Sequence, residues 1–284
     1  MSKIALVTDS TAYIPSDLVE KYHLTVVPQI LIWGENTYRD GVDILSEEFF
    51  TRLKTAKTMA TTSQVSVPTM QEAFETLVAQ DFDVVGVFIS SKLSGTIQSA
   101  LQAKELMGKS GEKVTVIDSN STAMAMGFEV LAAARAAENG ASLKEVIALV
   151  ERAREHIGVY FAVDTLEFLH RGGRIGGAQR FLGTALNMKP ILAVLDGRVE
   201  AIERIRTKGK ALERVIEIVV EKTKGKAPIR LATLHANAPE EARQVLDKAA
   251  SILDPAETVF AEVSPVIANH AGPGTVGLAY MAGI

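Results

Sequence analysis

The sequence predicts an α/β protein of two domains, an N-terminal one built on a mainly parallel sheet with flanking helices and a smaller C-terminal α+β one. Three observations carry that reading. Short β-type apolar runs alternate with amphipathic helical stretches, the pattern of a mainly parallel sheet. At 284 residues the chain exceeds what a single hydrophobic core ordinarily supports. A long helical stretch near 142–156 ends at Gly158, and a hairpin pattern follows it, which needs antiparallel strands. The boundary is placed there, giving domains 1–158 and 159–284.

Within the first domain, 3–8, 24–33, 83–90 and 113–118 read as strands. Helices begin near Pro15, Ser46, Val67, Gly95 and Ser121, and Pro15 and Pro68 suit a first helical turn. In the second, 189–206 reads as a hairpin turning at Asp196-Gly197, a strong short-range turn signal. Helix 207–223, strand 229–235, helix 239–253 and strand 257–263 follow. His270-Ala-Gly-Pro-Gly274 reads as a tight turn that presents an imidazole and leads into a last short helix, placed to pack back on the first domain.

Composition excludes several function classes. With 47% apolar and 23% charged residues the chain reads as soluble and globular rather than disordered. Its longest apolar runs fall short of the roughly 20 residues a membrane span needs, and its start shows no basic segment followed by an apolar one, so it reads as cytoplasmic. The absence of cysteine excludes disulfides, thiol catalysis and cysteine-ligated zinc, and the five histidines lack metal-ligand spacing, so no metal is expected. A net charge of −4 argues against nucleic acid as partner. An anionic ligand would have to be attracted by local groups.

Such groups occur at strand ends. Strand 83–90 runs through Ser91-Lys-Leu-Ser-Gly-Thr96 into a helical stretch, which sets Ser94, Gly95 and Thr96 at a helix N-terminus on the carboxyl edge of a parallel strand. Free amides and the positive helix end favour an anion there, although Ser94 could equally be a plain cap. Asp9-Ser10-Thr11 and Asp118-Ser119-Asn120-Ser121-Thr122 share the arrangement, with turn chemistry as the simpler account. The stretch Ala60–Pro68 reads as a polar loop with hydroxyls on four of its nine residues. No GxxxxGK[ST] accompanies it, which excludes a nucleotide cradle, and Gly272-Pro-Gly-Thr-Val-Gly277 lacks the later acidic residue of a dinucleotide fold. His170-Arg-Gly-Gly-Arg-Ile-Gly-Gly177 joins flexible backbone to two guanidiniums, and Arg204, Arg206, Lys208 and Lys210 form a basic cluster.

Taken together, Thr62-Ser-Gln-Val-Ser66, Leu93-Ser-Gly-Thr96, Asp118-Ser119, His170-Arg-Gly-Gly-Arg-Ile175, Arg206-Thr-Lys-Gly-Lys210 and His270-Ala-Gly-Pro-Gly274 resemble the DegV family, in order and spacing along the whole chain. Val65 stands where that family commonly has proline. The resemblance implies a two-domain fatty-acid-binding protein, which in several members is the lipid-presenting subunit of a bacterial fatty acid kinase. It implies one bound long-chain fatty acid as ligand, no other cofactor, and the kinase catalytic subunit as partner, with at most transient membrane contact. Thr62 and Ser94 would donate hydroxyl hydrogen bonds to the carboxylate, Gly95 a backbone amide, and His270 would lie beside it. Arg171 and Arg206 match positions at the site mouth or the partner-facing surface. No catalytic residue is implied. Two alternatives remain open: a serine hydrolase with Ser94 as nucleophile, His270 as base and Asp9 or Asp118 orienting it, and a regulatory binder of another small anion.

Overall fold

A strand that is apolar on both faces needs cover on both, and β1 (Lys3–Asp9) is buried at every residue from Ala5 onward. The computed structural model, which describes residues 3–183 and 188–284, shows what covers it. After α1 (Ser16–Lys21) come β2 (Thr25–Val27) and β3 (Ile30–Trp33). The run 24–33 is therefore two strands where one was expected. Pro28 has no N–H for a ladder, and the chain leaves one sheet there for another. With β4 (Asn36–Arg39), α2 (Ser46–Leu53) and β5 (Thr61–Ser63) it builds a small antiparallel sheet in the order β4-β3-β5. Then α3 (Val67–Ala79), capped by the Ser66 hydroxyl and carrying Pro68 in its first turn, leads to β6 (Phe82–Phe88), α4 (Thr96–Leu106), β7 (Val114–Asp118) and α5 (Ala123–Glu138). β2, β1, β6 and β7 form one parallel sheet in that order.

A capping box between Ser142 and Glu145 opens α6 (Leu143–Ala153). It is followed by β8 (Ile157–Ala162), the short α7 (Glu167–Arg171), and the hairpin of β9 (Lys189–Leu195) and β10 (Arg198–Ile205). Asp196 and Gly197 turn that hairpin with φ of 48° and 78°, the pair of positive values that a two-residue loop matching the strand twist requires. The chain continues as α8 (Lys208–Thr223), β11 (Ile229–His235), α9 (Pro239–Leu253), β12 (Glu257–Val259), α10 (Pro265–Ala271) and β13 (Val276–Ala282). These strands make a six-stranded sheet, β10-β9-β8-β13-β11-β12, antiparallel except between β11 and β12.

The ending differs from the expected last helix. His270 lies on α10, and the segment after Gly274 is a strand at the middle of the sheet. All seven residues of β13 are buried, so neither face shows the polar alternation that marks a strand, and a short apolar run is then ambiguous between strand and helix.

The two large sheets share a core. α5 packs against β1 and β6 on one side and against β8, β11 and β13 on the other, with eleven buried residues, Phe128 among them. On the outer face of the parallel sheet, Val7, Val84 and Phe88 meet Met70 and Phe74 of α3 and Ala100 and Ala103 of α4. On the outer face of the six-stranded sheet, Tyr160, Ile191 and Leu278 meet Val215 and Val219 of α8 and Val245 and Leu246 of α9. The order of layers is helices, parallel sheet, α5, mixed sheet, helices. α5 starts only at Ala123, beyond the carboxyl edge of the parallel sheet, and the functional space lies beside that start.

Candidate functional site

A cavity opens at this edge; together with the solvent adjoining it, it takes in about 780 Å³ of space free of protein atoms. Most of its wall is apolar: Val159 and Phe161 from β8, Val194 from β9, Val199 from β10, Leu234 from β11, and Val266 and Ile267 from α10. Thr62, Ser94, Arg174 and His270 form a polar cluster in its lining, which also includes Thr11, Gln29, Gln64 and Thr122. Three of the cluster, Thr62, Arg174 and His270, also line an outer cleft together with Met59, Arg171, Gly172 and Asn269. The cluster thus marks the mouth.

Ser94 reaches the cavity from the turn between β6 and α4, where Gly95 is the helix N-cap. Its hydroxyl lies 2.9 Å from Thr96 Oγ1, and Thr96 Oγ1 accepts a hydrogen bond of 2.8 Å from Gln29 Nε2. Thr96 is fully buried whereas Ser94 is half-buried. A buried hydroxyl hydrogen needs an acceptor, so Thr96 donates to Ser94, which also accepts a long 3.4 Å bond from the Thr96 amide. The hydrogen left over is that of Ser94, a residue that lines the cavity. Each donor in the series Gln29, Thr96, Ser94 polarises the next.

His270 is arranged in the same sense. Nε2 lies 2.8 Å from Thr62 Oγ1, and the buried Nδ1 has no hydrogen-bond partner among the described residues. Orphaned buried N–H groups are rarer than orphaned acceptors, which assigns the proton to Nε2. His270 then donates to Thr62, and the Thr62 hydroxyl hydrogen is free for the cavity. Burial drives the imidazole pKa down to about 4, with the nearby Arg174 charge adding to the effect, so the ring is neutral at pH 7. Its flat face needs room. A Cβ built on Gly172 would stand 2.0 Å from Nδ1, which accounts for one glycine of the His170–Gly177 segment. Arg174 in the same segment donates 3.1 Å to the Leu93 carbonyl and 2.8 Å to that of Gly172, holding the Ser94 turn against α7.

Thr62, Ser94 and His270, singled out from sequence, therefore meet in the lining of one cavity. Gly95 stands behind Ser94, with the Gln64 carboxamide 3.0 Å from where its Cβ would be, and does not line the cavity. Arg171 lines the outer cleft, exposed and paired with Glu167. Arg206 is exposed between β10 and α8 and lines neither space. The hydrolase constellation is not assembled: His270 faces Thr62 rather than Ser94, Asp9 accepts from Thr11 and from the Ile89 amide, and Asp118 from the amides of Ser91 and Asn120. Sequence reasoning missed Gln29, Thr96 as a relay, and Arg174. Arg174 and Thr96 lay within segments that had attracted notice, whereas Gln29 did not.

The DegV family model matches residues 3–283. A DegV domain-containing protein of Clostridium perfringens is 36% identical over 279 residues, 98% of either chain. A fatty-acid-binding DegV family protein of Thermus thermophilus has a solved structure with TM-score 0.94 at 38% identity, covering 99% of this chain and 100% of that one. A stearic-acid-binding protein of Eubacterium ventriosum has one with TM-score 0.90 at 27% identity, covering 99% and 98% respectively.

The buried imidazole makes stability depend on pH. Its pKa in the fold, about 4, lies below the ordinary 6.5, so between these values the unfolded chain binds more protons. The stability tied to the neutral ring is complete above pH 6.5 and is lost as pH falls toward 4, by about 3 kcal/mol in all. Asp40, buried and raised to about 6, acts in the opposite sense, and it cancels when wild type is compared with His270→Gln. Urea unfolding of both proteins at stepped pH should show the wild type losing stability relative to the variant as pH falls. A difference constant over that range would show that the ring is not held neutral.

Proposed function

The chain belongs to the DegV family, and from that premise we propose that it encloses one long-chain fatty acid and presents the carboxylate to a partner kinase. The observation that carries this reading is the pair of hydroxyls, Ser94 and Thr62, that line the polar mouth of an apolar cavity, each hydrogen-bonded to one neighbour, Thr96 and His270, whose assigned donation leaves the hydroxyl hydrogen to a ligand. The two hydroxyls donate to the carboxylate, the Gly95 amide and the start of α4 add to the favourable field, and His270 orients Thr62. Being neutral, His270 supplies no counter-charge, and Arg174 is the cation that lines both the cavity and the outer cleft with it. A carboxylate withdrawn from water costs several kcal/mol unless charge-assisted hydrogen bonds offset it. Each buried methylene contributes about 0.8 kcal/mol, so the tail supplies most of the affinity and the head group sets direction.

In this reading the chain has no catalytic residue and is cytoplasmic. A carboxylate oxygen attacks the terminal phosphorus of ATP held by a fatty acid kinase catalytic subunit, giving acyl phosphate and ADP. Arg171, in the outer cleft, and Arg206, on the exposed turn after β10, face that partner. The division into domains 1–158 and 159–284 belongs to the same reading, supported by the change of sheet at β8. Contact with a membrane is transient; among the described residues no helix is long and apolar enough to cross one.

Titration of delipidated protein with palmitate tests the head-group assignment. Ser94→Ala and Thr62→Val should each weaken binding by about 1–3 kcal/mol, the usual effect of leaving a charged partner short of one hydrogen bond. Wild-type affinity in both variants would refute it. The partner surface is tested separately by Arg206→Ala, which should keep its lipid and form acyl phosphate more slowly with the cognate kinase. Lost lipid with a normal rate per loaded protein would put Arg206 in the binding site instead.

A further inference from the structure

We propose that Tyr13 closes the hydrocarbon cavity on a side away from the outer cleft and so limits the length of acyl chain the protein retains; this rests on the function proposed above. The cavity has two neighbours. The outer cleft shares Thr62, Arg174 and His270 with it and marks the head-group end. A second cleft, open to solvent, shares one residue with the cavity, Tyr13, and none with the outer cleft. Three more places show how thin the partition is: Ala12 lines the second cleft and Thr11 the cavity, Pro28 the cleft and Gln29 the cavity, Pro265 the cleft and Val266 the cavity.

Tyr13 is an unusual choice for this position unless its ring is wanted. Its backbone lies in the left-handed region at φ 32°, where glycine and asparagine fit best and a bulky side chain is disfavoured. Among the described residues the buried hydroxyl has no hydrogen-bond partner, so the ring is held by packing. Burial with no offsetting bond raises the phenol pKa above its ordinary value. The ring itself packs on the main core. Past it, the second cleft offers Ile14, Val19, Val26, Val42 and Leu45 beside the polar Asp9, Ser10, Asp40 and Glu262, and Val26, Val42 and Leu45 are 38%, 57% and 60% exposed. A hydrocarbon end that passed Tyr13 would meet apolar surface that is otherwise wet.

Delipidated protein is incubated with an equimolar mixture of myristate, palmitate, stearate, arachidate and behenate, freed of unbound lipid, extracted and analysed by mass. In Tyr13→Gly, whose backbone suits the site, the retained arachidate-to-palmitate ratio should rise about tenfold or more over wild type, since each further buried methylene favours the longer acid about fourfold. Tyr13→Asn, also suited to this backbone, carries the same expectation should the glycine variant not fold. Adding Leu45→Glu to Tyr13→Gly should remove most of the gain. A wild-type profile in a lipid-loaded Tyr13→Gly or Tyr13→Asn protein overturns the inference alone, whereas wild-type protein that takes up none of the five acids overturns the proposed function with it.

Discussion

The bond between His270 Nε2 and Thr62 Oγ1, 2.8 Å long, joins residues 208 apart in sequence, and the rest of the site is arranged around it. It holds α10 to the edge of the small sheet, where Thr62 pairs with Leu31. It places the imidazole where only a glycine leaves room, at Gly172. Through Gly172 it fixes the end of α7, from which Arg174 grips the turn before Ser94. Four chain segments thus meet on one neutral ring. Because burial keeps that ring neutral, it can serve as a directed donor to Thr62 without bringing a charge into an apolar space.

The layered core explains why the space exists. α5 is enclosed by sheets on both sides and is buried over most of its length, so helix and sheets fill the interior wherever α5 runs. It cannot fill the region before its own first residue, at the carboxyl edge of the parallel sheet. Loops from β1, β6 and β7 end there, as in other open parallel sheets. β8, β9 and β10 bring their apolar faces to the same place from the other sheet. A polar rim made by strand ends and an apolar wall made by strand faces suit an amphiphile better than a wholly polar ligand.

Much of this was legible in sequence where the signal was local. The parallel sheet announced itself through alternation of strand and helix patterns, the β9-β10 hairpin through Asp196-Gly197, and the Ser94 site through a strand, a Ser-Gly-Thr turn and a helix in immediate succession. The signal failed where the defining partner was distant. Thr61–Ser63 is polar throughout and reads as a loop, yet it is a strand because Ile30–Ile32 pairs with it. β13 lacks alternation because both its faces are covered. Gln29 matters only because Pro28 breaks the strand and turns the next side chain toward Thr96, 67 residues on. Arg171 was singled out in sequence and Arg174 was not, and only the fold tells apart the one that pairs with Glu167 at the surface from the one that braces the mouth.

The central claim is that the apolar cavity with two free hydroxyl hydrogens at its mouth holds a single fatty acid, anchored by its tail and aimed by its head. Native mass spectrometry of protein purified from a bacterial host tests it most directly, because a buried chain should exchange slowly enough to survive purification. The account predicts one adduct per chain with the mass of a saturated or monounsaturated long-chain acid, lost on organic extraction and regained with added palmitate or oleate. A protein that carries no adduct and acquires none when offered these acids would contradict it.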